Sequence, residues 1–317
     1  MKQIAHLIVA LVIFFNQATG QEKDSYDYEI KIGHDNDFLV VFTTTDRYYT
    51  YGINAAFRWR GKGKAFLFTQ TESYRAHFNE VELNIEAYTP DYLSDGSIDA
   101  NEERPYAGWS YVNLSQAIAF EKSFLRLGVD FGVLGPDSKA GKIQNWFHRE
   151  ISGDVELNGW DQQLENQFGI NLNANYGFSI SNTKIFELYS TIDISVGNVY
   201  TYARPMAHFR LGKFEPIQYS IGQDNQLLGK RKQFEFYFDT GFGAKGSLYN
   251  ATLQGNIFDS NHLFDNSDIN NLMFNGYFGI CFLKNGFSLE FKYHMTTSEL
   301  YSTEAGRYAT LEIAHRF

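Results

Sequence analysis

Regular alternation of apolar and polar residues, repeated along the whole chain, is the feature that most constrains its fold. In residues 123–133 the odd positions from Leu125 to Phe131 are apolar, while the even positions carry Arg126, Gly128 and Asp130. Residues 78–87, 233–242 and 287–294 repeat this period of two, which predicts β-strands with two different faces. Many of these segments reach the ~9–11 residues that a tilted strand needs to cross a bilayer. The pattern therefore favours the wall of a membrane barrel.

The composition separates a membrane barrel from a water-soluble β-sandwich, in which the same alternation occurs. Mean hydropathy is −0.34, a value typical of soluble proteins. Yet 17% of the residues are aromatic and only 5 are proline. A transmembrane barrel reconciles these values, because half of each strand faces a polar lumen and aromatic girdles mark both membrane interfaces. After residue 20, no window holds the ~18 consecutive apolar residues of a membrane-spanning helix.

The predicted fold class is all-β: a transmembrane antiparallel β-barrel of about 12 strands, with a short helix in a long external loop. Short turns at 121–122, 181–183 and 284–286 contrast with longer connections, and the final strand ends the chain on Phe317, as is typical of outer-membrane barrels. We expect the turns at one end and the long loops, 90–105, 134–165, 213–230 and 246–271, at the other. The candidate strands are 26–34, 48–60, 77–89, 106–121, 123–133, 166–180, 184–198, 199–212, 231–245, 272–283, 286–297 and 307–317.

The N-terminal segment is predicted to be a secretory signal peptide, residues 1–20. Lys2 precedes an apolar run at 4–15, and Ala18-Thr19-Gly20 supplies small residues before a cleavage site at Gln21. The remaining residues, 21–317, are then one outer-membrane barrel domain. These features predict the outer membrane of a Gram-negative bacterium.

The net charge and the cysteine content limit the partners and the covalent cross-links that the chain can have. The formal net charge of −10 argues against a nucleic-acid partner. Because Cys281 has no second cysteine to pair with, we expect it to be a free buried or lipid-facing residue. An acidic protein that works on an anionic lipid would recruit divalent cations.

An oxygen-rich stretch interrupts the first two strands, between residues 28 and 52. It contains Asp35, Asn36, Asp37, Asp46 and Thr50. Such residues are also ordinary turn formers, so a solvated loop is the alternative. The apolar run at 38–42 is not loop composition, however, and hard oxygen ligands suit Ca²⁺ rather than zinc. The stretch predicts a cation site at one rim of the barrel.

His148 is the strongest candidate for a general base. Residues 139–151 read as a helix on which Ile143, Phe147 and Ile151 would pack along one face, and Gln144 and His148 would share an adjacent polar face. An ordinary surface histidine is the alternative. HExxH, GxSxG and CxxC motifs are absent from the sequence, so the residues favour water activated by histidine, with a cation polarising a carbonyl group.

An ordered set of motifs resembles the lipid A 3-O-deacylase family of outer-membrane barrels. The set covers nearly the whole mature chain. It consists of Asn36-Asp37-Phe38, Thr45-Asp46-Arg47-Tyr48-Tyr49-Thr50-Tyr51-Gly52, Arg104-Pro105-Tyr106-Ala107-Gly108-Trp109, Gly132-Val133-Leu134-Gly135-Pro136, Gln144-Asn145-Trp146-Phe147-His148, Gly159-Trp160-Asp161-Gln162-Gln163-Leu164, Tyr249-Asn250-Ala251-Thr252-Leu253-Gln254-Gly255 and Thr297-Ser298-Glu299-Leu300.

The resemblance implies an active site between the barrel wall and the external loops, and Ca²⁺-dependent hydrolysis of the ester that holds the 3′-linked acyloxyacyl chain on lipid A. It makes His148 the residue that activates water, and it places Asn36, Asp37 and Thr50 in the catalytic site. The cation ligands are then Asp37, Asn36 and an acidic residue after the histidine. Asp154 is the nearest match for that acid, with Glu150 and Glu156 as rivals.

The chain departs from the family pattern at one position. Some members place a lysine, a candidate oxyanion donor, after the Tyr-x-Pro signal. Here Tyr88-Thr89-Pro90 is followed by a segment without lysine, and Arg104 belongs to a structural turn in the family pattern. The alternatives are therefore a non-enzymatic outer-membrane barrel (channel or structural) or a barrel phospholipase. The leading hypothesis has lipid A or lipopolysaccharide as substrate and outer-membrane lipids as partners.

Overall fold

The computed structural model describes residues 24–36, 48–63, 65, 74–91, 103–153, 156–259 and 264–317. Within them, twelve antiparallel strands close into one barrel, so the predicted fold class and strand number are confirmed. The strands are β1 (Tyr28–Asn36), β2 (Tyr48–Arg60), β3 (Tyr74–Thr89), β4 (Ala107–Phe120), β5 (Ser123–Leu134), β6 (Gln167–Asn182), β7 (Phe186–Gly197), β8 (Tyr200–Lys213), β9 (Phe234–Asn250), β10 (Leu272–Lys284), β11 (Phe287–Thr296) and β12 (Gly306–Arg316).

Pairing of β1 with β12 closes the barrel. Ile32 pairs with Ile313, and the ring of Tyr28 stacks on that of Phe317 at 5.6 Å between centroids. Along β1, Glu29 and Lys31 point into the barrel and are buried, whereas Ile32 points outward and is 53% exposed. The period-two pattern thus becomes a polar interior and an apolar outer wall, as in transmembrane barrels.

A two-residue turn joins β10 to β11. Asn285 and Gly286 both have positive φ, 51° and 83°, which is the conformation of a type I′ turn. Such a turn matches the right-handed twist of the strands that it connects, so the predicted hairpin is confirmed.

One long connection lies at the opposite end from the one we predicted. Connections alternate between the two barrel ends, so the β8–β9 connection shares an end with the tight turns, and the short β7–β8 connection lies at the loop end. Residues 214–233 form three one-turn 3₁₀ segments, Ile217–Tyr219, Ile221–Gln223 and Gln226–Leu228. Leu227 and Leu228 pack inside the barrel against Tyr26 and Phe78. We call residues 214–233 the plug. Its apolar residues are buried in the lumen, which explains how a long connection is accommodated at the turn end.

Charge holds the plug in place. The Asp224 carboxylate bonds to Lys31 Nζ at 2.9 Å and to Arg58 Nη1 at 3.1 Å, and Arg58 also bonds to Glu29 at 2.7 Å. Burial alone would raise the pKa of Asp224, but the charges of Arg58, Lys31 and Arg126 outweigh burial and hold this pKa well below its ordinary value. The buried charges of this end of the lumen are therefore matched by partners within the protein.

Two helices lie in connections at the loop end, α1 (Ala140–Phe147) between β5 and β6 and α2 (Ala251–Gln254) after β9. A π-helical turn, His148–Ser152, continues α1. Neither helix has the length and apolar character needed to cross a membrane, and the same holds for every other helical segment of the described residues.

Candidate active site on the outer face of the barrel

The barrel wall divides the oxygen-rich stretch into two sides. Tyr49 donates a hydrogen bond from its hydroxyl to Asp35 Oδ2 at 2.7 Å, and Asp35 lines the lumen. Because neighbouring residues of a strand point to opposite faces, Asn36 lies on the outer face. Asn36 is only 9% exposed although it is on the side that faces lipid elsewhere along the strand. The side chains of Asp35 and Asn36 thus lie on opposite sides of the wall. Asp37 and Asp46 lie outside the described residues.

Thr50 reaches the outer face through a β-bulge. Tyr49 pairs with Tyr88 and Tyr51 pairs with Ala87, so Thr50 is the extra residue between them. Its hydroxyl lies 2.7 Å from that of Thr89, and both side chains are fully buried. Bulges are common next to active sites because they turn a side chain out of the regular alternation. The bulge places Thr50 beside Tyr51, whose register partner on β1 is Asn36.

Tyr51 attaches α1 to the outside of the wall. Its hydroxyl donates a hydrogen bond to the carbonyl oxygen of Ala140, the first residue of α1, at 2.7 Å. Tyr51 and Ala140 also belong to a small apolar cluster with Ala87, Tyr106 and Trp160. Helix α1 therefore lies on the outer face of the wall, where it contacts β3 and β4 and is bonded to Tyr51 of β2.

The buried side of α1 and of the turn that follows it includes two polar side chains. Gln144 and His148 are 3% and 4% exposed, and Trp160 Nε1 donates a hydrogen bond to Gln144 Oε1 at 2.9 Å. The prediction that Gln144 and His148 share one polar face is confirmed, whereas an exposed surface histidine is excluded. The prediction that Ile151 packs with Ile143 is wrong, since Ile151 is 41% exposed. The α-helix ends at Phe147, and the wider π-helical turn moves Ile151 out of line with Ile143.

His148 is the first residue of the π-helical turn. Gly153 ends the turn in a left-handed conformation, φ 79°, and its N–H donates a hydrogen bond to the His148 carbonyl oxygen at 2.8 Å. π-Helical turns are frequent at functional sites because they interrupt the regular helical repeat. The backbone of this turn fixes His148 at the buried end of the helix.

The two rival acidic residues lie away from the buried face. Arg149 bonds to Glu150 at 2.8 Å and to Glu156 at 3.0 Å, and about half of each carboxylate side chain is exposed. Both carboxylates are thus engaged at the surface by the same arginine. Asp154, the preferred match for the acid of the site, lies outside the described residues.

Arg104 lies inside the mouth of the barrel. Its guanidinium bonds to Glu299 and to Thr252 Oγ1, the latter at 2.9 Å, and stacks over the Tyr88 ring at 4.2 Å. Tyr88 in turn donates a hydrogen bond to Glu86 in the lumen. Arg104 therefore joins three connections at the loop end and lies on the opposite side of the wall from Asn36.

The lumen between the mouth and the plug is polar. It contains an outer cavity of about 550 Å³ and an inner one of about 460 Å³, which share Arg126 and Arg204 in their walls. In the outer cavity, Glu86 accepts hydrogen bonds from three tyrosine hydroxyls that belong to Tyr88, Tyr111 and Tyr200. Within the described residues, no group of three or more His, Cys, Asp or Glu side chains is arranged to hold a metal ion.

Sequence reasoning assigned no role to two residues that organise the site, Tyr51 and Thr89. Both lie within quoted motifs, but the strand pattern alone does not reveal that Thr50 is an extra residue. Without the bulge, alternation would place Thr50 on the lumen side with Gly52 and would place Tyr49 on the outer face with Tyr51. The pairing of Thr50 with Thr89 depends on this irregularity.

Comparison with known proteins gives a family and a structural relative. The model of the family described as "Outer membrane protein LpxR" matches residues 7–317. LpxR from Salmonella typhimurium superposes with a TM-score of 0.71 at 20% sequence identity, covering 91% of this chain and 100% of that one. The β domain of the Bordetella autotransporter BrkA gives a TM-score of 0.49 at 8% identity, over 93% of this chain and 100% of that one. No curated protein matches by sequence.

Proposed function

The chain belongs to the family of the outer membrane protein LpxR, and on this basis we propose that it is a Ca²⁺-dependent esterase that removes the 3′-linked acyloxyacyl chain of lipid A. It is an outer-membrane β-barrel, which gives it access to the lipid in which it is embedded. The sequence resemblance to the lipid A 3-O-deacylases is confirmed by the family match. The ester position, the cation and the roles of individual residues are parts of the proposal.

The observation that carries the proposal is a polar, buried face on the lipid side of the wall. Gln144 lies on the helix that Tyr51 attaches to the outside of the barrel, and His148 lies in the turn that continues it. Both side chains are buried. Thr50 lies on β2, next to β3, which the helix contacts, and Asn36 lies on the neighbouring strand β1. A lipid of the outer leaflet reaches such a site laterally, whereas an ester bond in the lumen would first have to leave the membrane.

In the proposed mechanism, an imidazole nitrogen of His148 accepts a proton from water as the water attacks the ester carbonyl carbon. The histidine then returns this proton to the departing sugar oxygen. Burial of His148 restricts its orientation and excludes bulk water, which favours attack by one positioned water molecule. Thr50, held by Thr89, would orient the ester or the attacking water through its hydroxyl group.

The donor chemistry of the proposed site fits Ca²⁺. Asn36 offers a carboxamide oxygen that is buried on the outer face, and Asp37 and Asp154 would add carboxylates, so all three ligands are hard oxygen donors. When bound, the ion would supply positive charge that polarises the ester carbonyl. Asn36 is the last residue of β1 and pairs with Tyr51 of β2.

The segment that follows Pro90 contains no lysine, so another group would have to donate the hydrogen bond to the oxyanion. Arg104 is unsuited to this role because its bonds to Glu299 and Thr252 keep it at the lumen mouth. We propose that the carboxamide N–H of Asn36, on the outer face of the wall, takes this role. We therefore expect slower turnover than a site with a lysine, with the same product.

Incubation of the folded, purified barrel with lipid A, in Ca²⁺ or in chelator, tests the proposal. Mass spectrometry should show lipid A that has lost the mass of one acyloxyacyl chain, together with the released acid, only when Ca²⁺ is present. Phospholipid in the same micelles serves as the competing substrate. Unchanged lipid A under all conditions, or preferential loss of acyl chains from phospholipid, would overturn the assignment.

A further inference from the structure

His34 is a polar residue on the outer face of the wall. It precedes Asn36 by two residues and therefore points to the same side of β1. Its register partners are Ile53 on β2 and Leu311 on β12. Tyr28, at the far end of β1, belongs to an aromatic group with Phe57 and Phe317. Along the barrel axis, six residues of a tilted strand place His34 roughly 15 Å from this aromatic group, inside the ~25 Å apolar band of a barrel.

A backbone hydrogen bond fixes the tautomer of His34. Its Nδ1 lies 3.1 Å from the carbonyl oxygen of Gly52. A carbonyl oxygen can only accept, so Nδ1 carries the hydrogen and donates it. In the neutral imidazole the other ring nitrogen, Nε2, is then a hydrogen-bond acceptor. Within the part of the chain that the structure describes, the Gly52 carbonyl is the hydrogen-bond partner of this side chain, and it engages Nδ1 alone.

The apolar surroundings of His34 make it energetically costly for Nε2 to lack a hydrogen-bond donor. Its half-buried ring lies between the buried Asn36 and the apolar outer wall, where Ile32 is 53% exposed and Ile53 is 37% exposed. Lipid tails cannot donate a hydrogen bond to Nε2, and polar groups at membrane depth are costly unless a partner satisfies them. A histidine at this position points to a ligand that brings a donor.

Asn36, His34 and Ile32 form a graded track on one face of β1, from a buried polar residue to an exposed apolar residue. Steps of two residues separate them by about 7 Å each. A lipid whose ester lies at Asn36 would extend its acyl chains along this track toward Ile32. Its hydroxyl or amide groups close to the ester would come within reach of His34.

We propose that His34 is a substrate-binding residue, whose Nε2 accepts a hydrogen bond from a hydroxyl or amide N–H in the acyl region of an acylated sugar lipid. This inference rests on the proposed function and deepens it. His34 would thereby favour lipid A, whose amide and hydroxyacyl groups are donors, over ordinary glycerophospholipids, whose acyl esters only accept.

Native mass spectrometry in detergent tests binding apart from turnover. The His148→Ala protein serves as the background, and lipid A is titrated into it with or without a second change, His34→Ala. We expect the second change to weaken lipid A binding by about tenfold, the effect of one lost hydrogen bond together with its desolvated partner. His34→Gln, whose amide oxygen replaces the Nε2 acceptor, should recover most of the affinity, and His34→Phe should not.

His315 provides the matched control. It lies on the outer face of β12 at the opposite rim, next to Phe317, so His315→Ala in the same background should leave lipid A binding unchanged. Equal affinity of the His34→Ala and background proteins would overturn the role of His34 even if lipid A is hydrolysed normally. Absence of lipid A binding by the background, together with no hydrolysis by the wild type, would overturn the proposed function as well.

Kinetics with His148 restored distinguish binding from a structural role. His34→Ala should raise KM for lipid A about tenfold and change kcat by less than about threefold, because His34 contacts the acyl region and not the reacting ester. The electrophoretic shift between folded and heated protein should match that of the wild type. A loss confined to kcat, or failure of His34→Gln to recover KM, would contradict the proposal.

Discussion

Two regions of this barrel bury polar side chains, and they lie on opposite sides of its wall. In the plugged end of the lumen, Asp224 bonds to both Lys31 and Arg58, and each of these cations also contacts further carboxylates. On the outer face at the loop end, Asn36, Thr50 and His148 are buried on the side of the wall that is apolar elsewhere. The first region is a closed ionic network within the protein. The second lies on the lipid side of the wall, where we propose that a lipid substrate and an ion bind.

This difference shows that the face to which a polar side chain points indicates its role in a barrel. Inward-facing charges are expected in a polar lumen, and here they hold a plug that closes one end. Outward-facing polar residues oppose the rule for lipid-facing positions, so their presence needs a functional explanation. On the proposed function, the chemistry takes place on the outer face, and the lumen provides structural stabilisation.

The largest effect is expected at His148. His148→Ala should lower the rate of lipid A deacylation by about 10²- to 10⁴-fold, since it removes the proposed general base. Initial rates from mass spectrometry of the products measure this loss. His208, a buried histidine of the lumen that bonds to Thr191 and Tyr277, is the control, and His208→Asn should keep the rate within a few-fold. Equal losses in both variants would remove the distinction between the two regions.

Asp37 is expected to have the next largest effect. Asp37→Asn should raise the Ca²⁺ concentration needed for half-maximal activity by roughly 10- to 100-fold, because it takes a charged ligand from the proposed site. A Ca²⁺ titration of initial rates gives this value. Asp130→Asn, which changes a carboxylate held by Asn113 and Asn173 in the lumen, should leave the titration unchanged. An unshifted titration for Asp37→Asn would exclude Asp37 as a ligand.

Asp224 tests the structural region. Asp224→Ala leaves Lys31 and Arg58 without one partner and should lower the free energy of unfolding by about 3 kcal/mol, the lower end for a broken buried pair, since the Asp224 side chain is 24% exposed. Urea unfolding in detergent measures this change. Deacylation by the folded fraction should be retained. Lost activity in a fully folded variant would couple the plug to the chemistry and contradict the comparison.

The pH dependence of this contribution follows from the depressed pKa of Asp224. Because the folded protein holds the carboxylate ionised, the stabilisation is fully present above the ordinary pKa of about 4. It is lost as the pH falls through the lower, folded value. The difference in unfolding free energy between wild type and Asp224→Asn should be constant from pH 8 to pH 5 and shrink below pH 4. A difference that disappears near neutral pH would show that Asp224 is not held ionised by its partners.

Tyr51 should give the smallest effect. Tyr51→Phe removes the hydrogen bond to Ala140 and should cost about 1 kcal/mol, seen as a few-fold lower deacylation rate because α1 is less firmly held. Tyr293, an outer-face tyrosine that stacks on Phe278, provides the control substitution Tyr293→Phe, which should not change the rate. Identical rates for the two variants would show that the hydrogen bond does not position the helix.

Much of the fold could be predicted from the sequence, because alternation is a local property of each strand. The twelve strands, the helix near His148 and the hairpin at Asn285-Gly286 all followed from local patterns. The plug did not, since the burial of residues 214–233 depends on long-range partners such as Lys31 and Phe78. The bulge at Thr50 and the π-helical turn at His148 were also not predicted from the sequence. Each changes the direction of a side chain by inserting one residue into a regular repeat.

The candidate site was predictable only in part for the same reason. The motifs singled out Asn36, Thr50 and His148, and the structure places all three in buried positions at the loop end. The division of Asp35 from Asn36 by the wall follows from the strand period once the strand is known to reach Asn36. Attachment of α1 through Tyr51 required the folded barrel, because Tyr51 and Ala140 lie 89 residues apart.

The mass spectrum of lipid A after treatment with three folded proteins tests the central claim most directly. In Ca²⁺, the wild type and Asp224→Ala should both yield lipid A that lacks one acyloxyacyl chain, and His148→Ala should leave lipid A intact. Continued product formation by His148→Ala, or intact lipid A with the wild type, would contradict catalysis on the outer face of the barrel.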